Sequence, residues 1–432
     1  MMAADGLLLR VRTRAGRLTS HDLRALARIA SAHGDGAVGL TRRGKIEIRG
    51  VRDGEAALAA LRKAGLVRND SAPDLLVSPA GDLDSSAQTD VTATAEAVSA
   101  ALHQDPRFQD LPAKTAIVLD GGGRAHLGDN YGDLRIDAVG GAASIALAGT
   151  AQTARPLGLC SLEAVPAVAA ALLLRFLRLQ ATMVPKPRRL SAVLQSLGLN
   201  AFQSAAAPFL TRDSARAIHR GRAEVIGRVP GAWYGLAFPF GVVSADGLLR
   251  LADAVENCGS GDIRVLPSRT VLLANAGPET AALLQAAGGI GRNDDPRLRI
   301  EACSGLGACP VATTPTRGDA LALAERVPGL LSGGAGGCAL HVSGCAKGCA
   351  HSGSALVTLT GNGGRYDLSL MAAAGSAPVW RGLTLDEAAA RLNAVERSVE
   401  AQRAQDEKLE ATMKRLGAAG LRRLSGKETA GA

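Results

Sequence analysis

The chain has 432 residues, enough for about two to four domains, and carries 49 Lys and Arg against 40 Asp and Glu, a net charge of +9. Aromatic residues make up only 3%, too few for base-stacking platforms, so the positive charge favours an anionic small molecule over nucleic acid. Seven cysteines is an odd number and no charged-then-apolar leader opens the chain, so we expect a cytoplasmic protein without a disulfide framework.

An internal repeat organises the chain. Shifted by 225 positions, the segment that starts at Gly16 lies without a gap over the segment that starts at Gly241. Three apolar positions then coincide: Leu23 with Leu248, Leu26 with Leu251, and Ala27 with Ala252. In the first copy these residues have helical spacing, with Thr19 and Ser20 as N-cap candidates and strand patterns on both sides. Chance similarity is the alternative in a chain rich in Ala, Leu and Gly, but the long ungapped register favours two related half-domains.

Arginines distinguish the first copy from the second. Arg10, Arg12 and Arg14 alternate along a predicted strand and therefore share one face of it. The corresponding residues of the second copy carry no charge: Gly235, Ala237 and Pro239. The row fits either a charged edge strand that resists aggregation or an anion-binding face.

A longer α/β segment is predicted after each copy. Residues 111–137 show two strand patterns around a glycine-rich turn, which predicts a hairpin; the GGGRAHLG stretch has no helix after it, which disfavours a dinucleotide fingerprint. The apolar run at residues 164–174 is 11 residues long, too short to cross a bilayer, and predicts a buried helix rather than a membrane partner. Two strand patterns and a helical tail from Leu385 end the second segment.

These patterns divide the chain into six segments. We predict a first ferredoxin-like half-domain at 1–68, a first α/β unit at 69–184, a linker with helices at 185–227, a second ferredoxin-like half-domain at 228–296, a second α/β unit with the cluster cysteines at 297–395, and a charged helical tail at 396–432.

Four cysteines near the C-terminal end form two closely spaced pairs. Cys303 and Cys309 bracket five residues, Cys345 and Cys349 bracket three, and 35 residues separate the pairs. A five-residue gap lies outside the usual zinc-knuckle spacings, whereas four thiolates from two loops supply one soft ligand to each iron of a [4Fe-4S] cluster. The spacing therefore predicts a cluster, with structural zinc or free core thiols as the alternatives.

With these motifs the chain resembles the siroheme-containing nitrite and sulfite reductase superfamily over almost its whole length. C-x5-C followed by C-x3-C is the cysteine signature of that superfamily. The resemblance implies an α+β, duplicated nitrite/sulfite reductase-like fold, with two ferredoxin-like half-domains each followed by a larger α/β unit. It implies that Cys349 also bridges the cluster to a tetrapyrrole iron. The superfamily's tetrapyrrole-binding positions fall on Arg10, Arg12, Arg43 and Lys114.

Two departures argue against reduction of an inorganic anion. The superfamily's arginine before the S-P turn would fall near Pro73, and its second lysine is Ala116 here. A six-electron reductase uses those basic groups to hold sulfite or nitrite and to stabilise charge. The text around the second cysteine pair, HVSGCAKGCAH, instead resembles the precorrin-3B synthase branch of the superfamily.

That branch implies an oxidoreductase of the monooxygenase type in aerobic cobalamin biosynthesis. It would hydroxylate precorrin-3A at C20 and close a γ-lactone, with O2 and NADH, or a reduced carrier protein, as co-substrates. An anionic tetrapyrrole is then the substrate partner, and siroheme or a separate non-haem iron is the candidate site of oxygen activation. An assimilatory sulfite or nitrite reductase is the alternative function, and a non-enzymatic zinc or nucleic-acid-binding protein ranks third.

Two histidines flank the second cysteine pair. His341 and His351 are candidate iron ligands or proton donors, and hydrogen-bonded structural histidines are the alternative that we favour. Cys338 is a candidate alternative ligand. For Cys338, and likewise for Cys160 and Cys258, we favour the role of a small buried hydrophobic residue.

Overall fold

The computed structural model describes residues 2–3, 6–13, 15–67, 73–211, 223–331 and 337–428, without the side chains at 2, 3, 12, 74 and 426–428. In these residues a half-domain followed by an α/β unit occurs twice along the chain. The first half-domain and its α/β unit contain β1 (Met2–Ala3), β2 (Gly6–Arg12), β3 (Arg17–Thr19), α1 (Ser20–His33), β4 (Ala37–Leu40), β5 (Lys45–Val51), α2 (Gly54–Lys63), β6 (Asp74–Val77), α3 (Thr92–Gln104), β7 (Ala116–Asp120), β8 (Gly132–Val139), β9 (Ala142–Gly149), β10 (Arg155–Ser161) and α4 (Val165–Ala181).

Two helices then lead into the second half, which repeats the same order with two additional helices. The remaining elements are α5 (Leu190–Leu197), α6 (Asn200–Ala206), β11 (Gly227–Val229), β12 (Trp233–Ala237), β13 (Val242–Ser244), α7 (Ala245–Cys258), β14 (Asp262–Val265), β15 (Thr270–Ala274), α8 (Pro278–Ala286), β16 (Ile300–Ala302), α9 (Thr316–Arg326), α10 (Pro328–Leu331), β17 (Leu340–Ser343), β18 (Ala355–Asn362), β19 (Arg365–Ala372), β20 (Trp380–Leu383), α11 (Leu385–Gln402) and α12 (Leu409–Glu428).

The two copies of the repeat form matching helices. α1 and α7 both have 14 residues and begin 225 positions apart. Thr19 caps α1, accepting from the backbone N–H of Asp22, whose carboxylate accepts from the backbone N–H of Thr19 in return. Ser244 caps α7 in the same place, where its hydroxyl accepts from the N–H of Gly247. The helices pack against each other, and residues of both half-domains share one apolar core.

Each half-domain completes its sheet with a strand from the other half. The sheet order is β1-β2-β5-β4-β13 in the first half-domain and β11-β12-β15-β14-β3 in the second. β3 of the first half therefore pairs with β14, and β13 of the second half pairs with β4. The half-domains are thus joined by backbone hydrogen bonds as well as by apolar packing.

The two α/β units have the same sheet topology. In the first, β6, β7 and β8 run parallel, and β9 and β10 continue antiparallel. In the second, β16, β17 and β18 run parallel, followed by antiparallel β19 and β20. Each sheet buries one face against its own helices in a separate core. The apolar run at residues 164–174 lies mostly in α4, whose inner face is buried, as predicted.

The hairpin predicted within residues 111–137 is wrong, because β7 and β8 are parallel neighbours. The glycine-rich segment between them crosses from one end of the sheet to the other around a buried ion pair. The Arg135 guanidinium donates to the carbonyl oxygens of Leu127 and Asn130, and the Asp120 carboxylate accepts from the N–H of Leu127. The antiparallel hairpin lies one strand later, where Gly140 and Gly141 join β8 to β9 with positive φ angles.

Candidate functional site

The two cysteine pairs lie on neighbouring loops at one edge of the second α/β sheet. β16 ends one residue before Cys303, and β17 ends two residues before Cys345. Because these strands are parallel, both loops leave from the same edge, where open α/β sheets commonly bind their ligands. The backbone N–H of Cys303 donates to the carbonyl oxygen of Val342 (3.3 Å), and the N–H of Gly344 donates to Cys303 Sγ (3.2 Å).

Two further backbone bonds shape the first loop and hold it against the second. The N–H of Cys309 donates to the carbonyl oxygen of Gly305 (2.8 Å), and that of Thr313 donates to the carbonyl oxygen of Gly344 (3.0 Å). A Cβ on Gly344 would stand 2.5 Å from Ala312 Cβ, so only glycine permits this approach. The loops therefore form one interlocked unit.

The chemistry of this unit fits a cluster. Cys303, Cys309 and Cys345 are half-buried, Cys349 is exposed, and all seven cysteines are free thiols. Within the described residues, no group of three or more His, Cys, Asp and Glu side chains lies close enough to hold a metal ion. A cluster binds each thiolate at a different iron, which holds its ligands farther apart than one ion does. Four soft thiol donors on two joined loops are the ligand set that a [4Fe-4S] cluster requires.

The three remaining cysteines lie apart from this unit or are held as thiols. Burial raises the pKa of Cys160 to about 11 in the core of the first α/β unit. Burial and the neighbouring Glu301 carboxylate raise the pKa of Cys338 to about 12. The Cys338 thiol donates to the carbonyl oxygen of Leu340 (3.2 Å), so Cys338 is a poor thiolate ligand.

A row of polar side chains crosses the sheet beside the cysteine loops. Glu301, His341, Thr358 and Ser369 are register partners on four adjacent strands and share one face, which we call the polar row. Leu340 and Val342, on the other face, belong to the apolar core. His341, Thr358 and Ser369 are fully or almost fully buried.

His341 has no hydrogen-bond partner for either ring nitrogen among the described residues. Burial, helped by His351, lowers its pKa to about 4. The rings of His341 and His351 meet edge to face at 5.7 Å between centroids. His351 Nε2 lies 3.4 Å from the carbonyl oxygen of Ser354. No hydrogen bond among the described residues supports the structural role that the sequence favoured for His341.

Glu301, which no sequence motif marks as functional, connects the cysteine loops to both half-domains. Its carboxylate accepts from Arg42, in the turn between β4 and β5, and from Arg269 Nη1 (2.9 Å), in the turn between β14 and β15. Glu301 stands two residues before Cys303. Glu301 is the only charged residue of β16, which is a signal in the sequence, but its two partners are distant in sequence.

The predicted tetrapyrrole-binding residues do not all line one cavity. Arg43 lines a cavity of about 1340 Å³, which we call the hairpin cavity. Arg10 is 47% exposed and pairs with Glu47 (Nε to Oε1, 2.9 Å), whereas Lys114 is exposed and its carbonyl oxygen accepts from Arg189. Neither lines the hairpin cavity. The side chain of Arg12, and all of Arg14, lie outside the described residues.

The hairpin cavity lies between the first half-domain, the first α/β unit and β14. Its described lining includes Arg17, Arg43, Gly44, Lys45, Leu75, Leu76, Val77, Glu96, His103, Asp262, Val265 and Pro267. Arg43 faces the cavity while its neighbour Arg42 reaches Glu301. One hairpin turn therefore contributes to both the cavity wall and the support of the cysteine loops.

Comparison with known proteins agrees with this architecture. Residues 2–64 match the model of the nitrite/sulfite reductase ferredoxin-like half domain. The structure of the Mycobacterium tuberculosis NirA protein superposes with a TM-score of 0.73 at 21% identity, covering 96% of this chain and 84% of that one. At that identity the likeness concerns the fold, and it confirms the predicted duplicated nitrite/sulfite reductase-like architecture.

A relative with higher identity identifies the family. A precorrin-3B synthase from a Sinorhizobium species is 31% identical over 403 residues, which cover 88% of this chain and 82% of the relative. With 88% of this chain covered, the match extends over most of the fold. On this similarity, the chain belongs to the precorrin-3B synthase family.

Proposed function

We propose that this chain is a precorrin-3B synthase of cobalamin biosynthesis. The observation that carries the proposal is the 31% identity to a precorrin-3B synthase over 88% of the chain. The neutral Ala116, where a reductase has its second lysine, agrees with this function rather than with sulfite or nitrite reduction. In the described residues no helix is long and apolar enough to cross a membrane. The seven free cysteines of the chain fit the reducing cytoplasm, which we propose as the compartment of the reaction.

The reaction adds one oxygen atom to precorrin-3A. One atom of O2 becomes the C20 hydroxyl and the other leaves as water, while NADH supplies two electrons, directly or through a reduced carrier protein. A ring acetate closes the γ-lactone, so the product is the substrate plus one oxygen atom. When bound, the [4Fe-4S] cluster supplies one-electron transfer, and siroheme or a non-haem iron is the proposed site of oxygen activation.

The residues of this chain bind the substrate through its carboxylates. Arg43 is the first binding residue that we propose, because it lines the hairpin cavity. A guanidinium can hold a carboxylate with two parallel hydrogen bonds. We propose Arg10, Arg12 and Lys114 as further carboxylate partners. Since Arg10 pairs with Glu47, it would bind a substrate carboxylate with its remaining N–H groups.

Cys303, Cys309, Cys345 and Cys349 are the proposed cluster ligands. Three of them are half-buried, which protects the sulfurs from water, and the exposed Cys349 is the one open to a further partner. This exposure supports the proposal that Cys349 also bridges the cluster to a tetrapyrrole iron, should that iron be siroheme.

One preparation tests the proposed function. Protein purified without oxygen should contain iron and acid-labile sulfide and should convert precorrin-3A, with O2 and NADH or a chemical reductant, to a product heavier by one oxygen atom. The same protein should not reduce sulfite or nitrite with a viologen dye. Sulfite reduction together with a siroheme absorption band would overturn the proposal in favour of a reductase. Stoichiometric zinc without iron would overturn both the synthase and the reductase function.

The Cys349→Ser variant tests the cluster assignment. A hydroxyl is a much weaker iron ligand than a thiolate, so we expect loss of most cluster iron and at least a hundredfold lower turnover, about 3 kcal/mol in the activation barrier. Cys258→Ser is the matched control, because Cys258 lies at the end of α7 and its thiol donates to the carbonyl oxygen of Ala274. Full turnover in Cys349→Ser would remove Cys349 from the ligand set.

A further inference from the structure

His341 is fully buried, and neither ring nitrogen has a hydrogen-bond partner among the described residues. A buried polar group without a partner is unfavourable, because it loses its hydrogen bonds to water without replacing them. Such groups are rare in folded proteins, and each one calls for an explanation by strain, chemistry or an absent partner. The position of His341 beside the cysteine loops points to the last of these.

The two register neighbours of His341 in the polar row already have partners. Glu301 is bound by Arg42 and Arg269 on its two oxygens. The Thr358 hydroxyl donates to the carbonyl oxygen of Ala372 (2.7 Å). His341 lies between these two residues in the sheet register and bonds to neither. Neither neighbour therefore forms a hydrogen bond with a ring nitrogen of His341.

The ring of His341 reaches the second cysteine loop. Its Cε1 atom lies 3.7 Å from the position that a Cβ on Gly348 would occupy, and Gly348 precedes Cys349. Cε1 is bonded to both ring nitrogens, so a nitrogen also stands close to this loop. Gly348 has a φ of 64°, and a side chain there would be strained as well as crowded against Ala374. Gly348 thus supplies the left-handed backbone of a loop that passes close to the imidazole.

The imidazole is neutral at physiological pH, because burial lowers its pKa to about 4. A neutral imidazole has one N–H donor and one acceptor nitrogen. The sulfurs of a cluster and of its cysteine ligands carry negative charge and accept hydrogen bonds from nearby N–H groups.

We propose that His341 is a positioning residue whose ring N–H donates a hydrogen bond to a sulfur of the bound cluster or of its Cys349 ligand. The inference rests on the proposed function in one respect, namely that the cysteine loops bind a cluster. The hydrogen bond stabilises the reduced, more negative cluster and so raises its reduction potential. His341 thereby sets how readily the cluster accepts electrons, and it reaches the reaction only through the cluster.

The test compares the reduction potential of the cluster in variants of the full chain. His341→Phe, purified without oxygen and titrated with detection by electron paramagnetic resonance, should keep its iron and sulfide but show a more negative potential than the unchanged protein. His341→Gln keeps an N–H donor and should recover part of the shift. Thr358→Val, on the next strand of the polar row, is the control and should leave the potential unchanged.

Three results would overturn the inference in the loaded protein. The first is an unchanged potential in His341→Phe, and the second is an equal shift in Thr358→Val. The third is a loss of iron at unchanged sulfide in His341→Phe, which would make His341 a ligand of a separate iron.

A second measurement does not depend on cluster assembly. In the cluster-free chain, His341→Phe removes an unsatisfied polar group, so its unfolding midpoint in urea should equal or exceed that of the unchanged chain. A clearly lower midpoint would show that His341 has a structural partner, and would overturn the inference. If the unchanged protein binds no iron and sulfide, the cluster assignment fails. The stability comparison is independent of that outcome, so the two failures can be distinguished.

Discussion

Arg135 is fully buried although it carries a positive charge. Its Nη2 contacts Asp120 Oδ2 (3.2 Å) and Asp137 Oδ1 (2.7 Å), and both carboxylates are buried as well. Asp120 also accepts from the N–H of Gly122. The ion pairs thus hold the crossing segment between β7 and β8, at the end of the first α/β sheet that corresponds to the cysteine loops of the second.

Replacing Arg135 should be strongly destabilising. Arg135→Met leaves two buried carboxylates without their cation, so we expect the free energy of unfolding to fall by about 3–5 kcal/mol, measured by urea denaturation. Arg292→Met is the control, because the Arg292–Asp294 pair lies at the surface and contributes little. A fall no larger than that of the control would show that the buried network does not stabilise the fold.

Individual residues also show where sequence reasoning succeeds and stops. The spacing of the four cysteines fixed attention on two loops, and the parallel strands bring those loops together. The ion pairs by which Glu301 supports the loops could not be predicted from the sequence, because Arg42 and Arg269 are 259 and 32 residues away from it. Likewise, a motif shows that His341 is near the cysteines, but only the packing around it shows that its ring lacks a partner.

Among the elements, β3 and β13 link the two half-domains. Each strand precedes the long helix of its own half but pairs with a strand of the other. Both copies of the repeat carry the same strand pattern. The sequence therefore cannot show whether such a strand pairs within its own half-domain or with the other half-domain. Leu18 of β3 is buried in the shared core and faces Ile263 of β14 across the pair.

A substitution in β3 should therefore disturb the opposite half-domain. Leu18→Ala leaves a cavity, and we expect it to lower the free energy of unfolding by about 2–5 kcal/mol. Hydrogen–deuterium exchange should become faster in β14 of the second half, since its neighbour on that side is weakened. Leu61→Ala, equally buried on α2 of the first half, is the control and should not affect β14 selectively. Faster exchange confined to the first half would contradict the strand exchange.

At the scale of the whole molecule, most of the fold could be predicted because duplication repeats its signals. The offset of 225 positions predicts the matching helices α1 and α7, and both occur where expected. The path between β7 and β8 could not be predicted in the same way, because two short apolar strands around glycines have the same pattern in a hairpin and in a parallel pair. The grouping of the proposed binding residues could not be predicted either, since Arg43 lines the hairpin cavity whereas Arg10 and Lys114 do not.

The net charge of +9 and an anionic substrate predict how association depends on salt. Long-range attraction acts over about 30 Å at 0.01 M salt but only about 8 Å at 0.15 M. We therefore expect kcat/KM for precorrin-3A to fall by about tenfold over that range, whereas kcat should change little. Arg43→Met should flatten this dependence, because Arg43 lines the hairpin cavity, and the surface variant Arg292→Met should not. A kcat/KM that is independent of salt would show that charge does not guide the substrate to this protein.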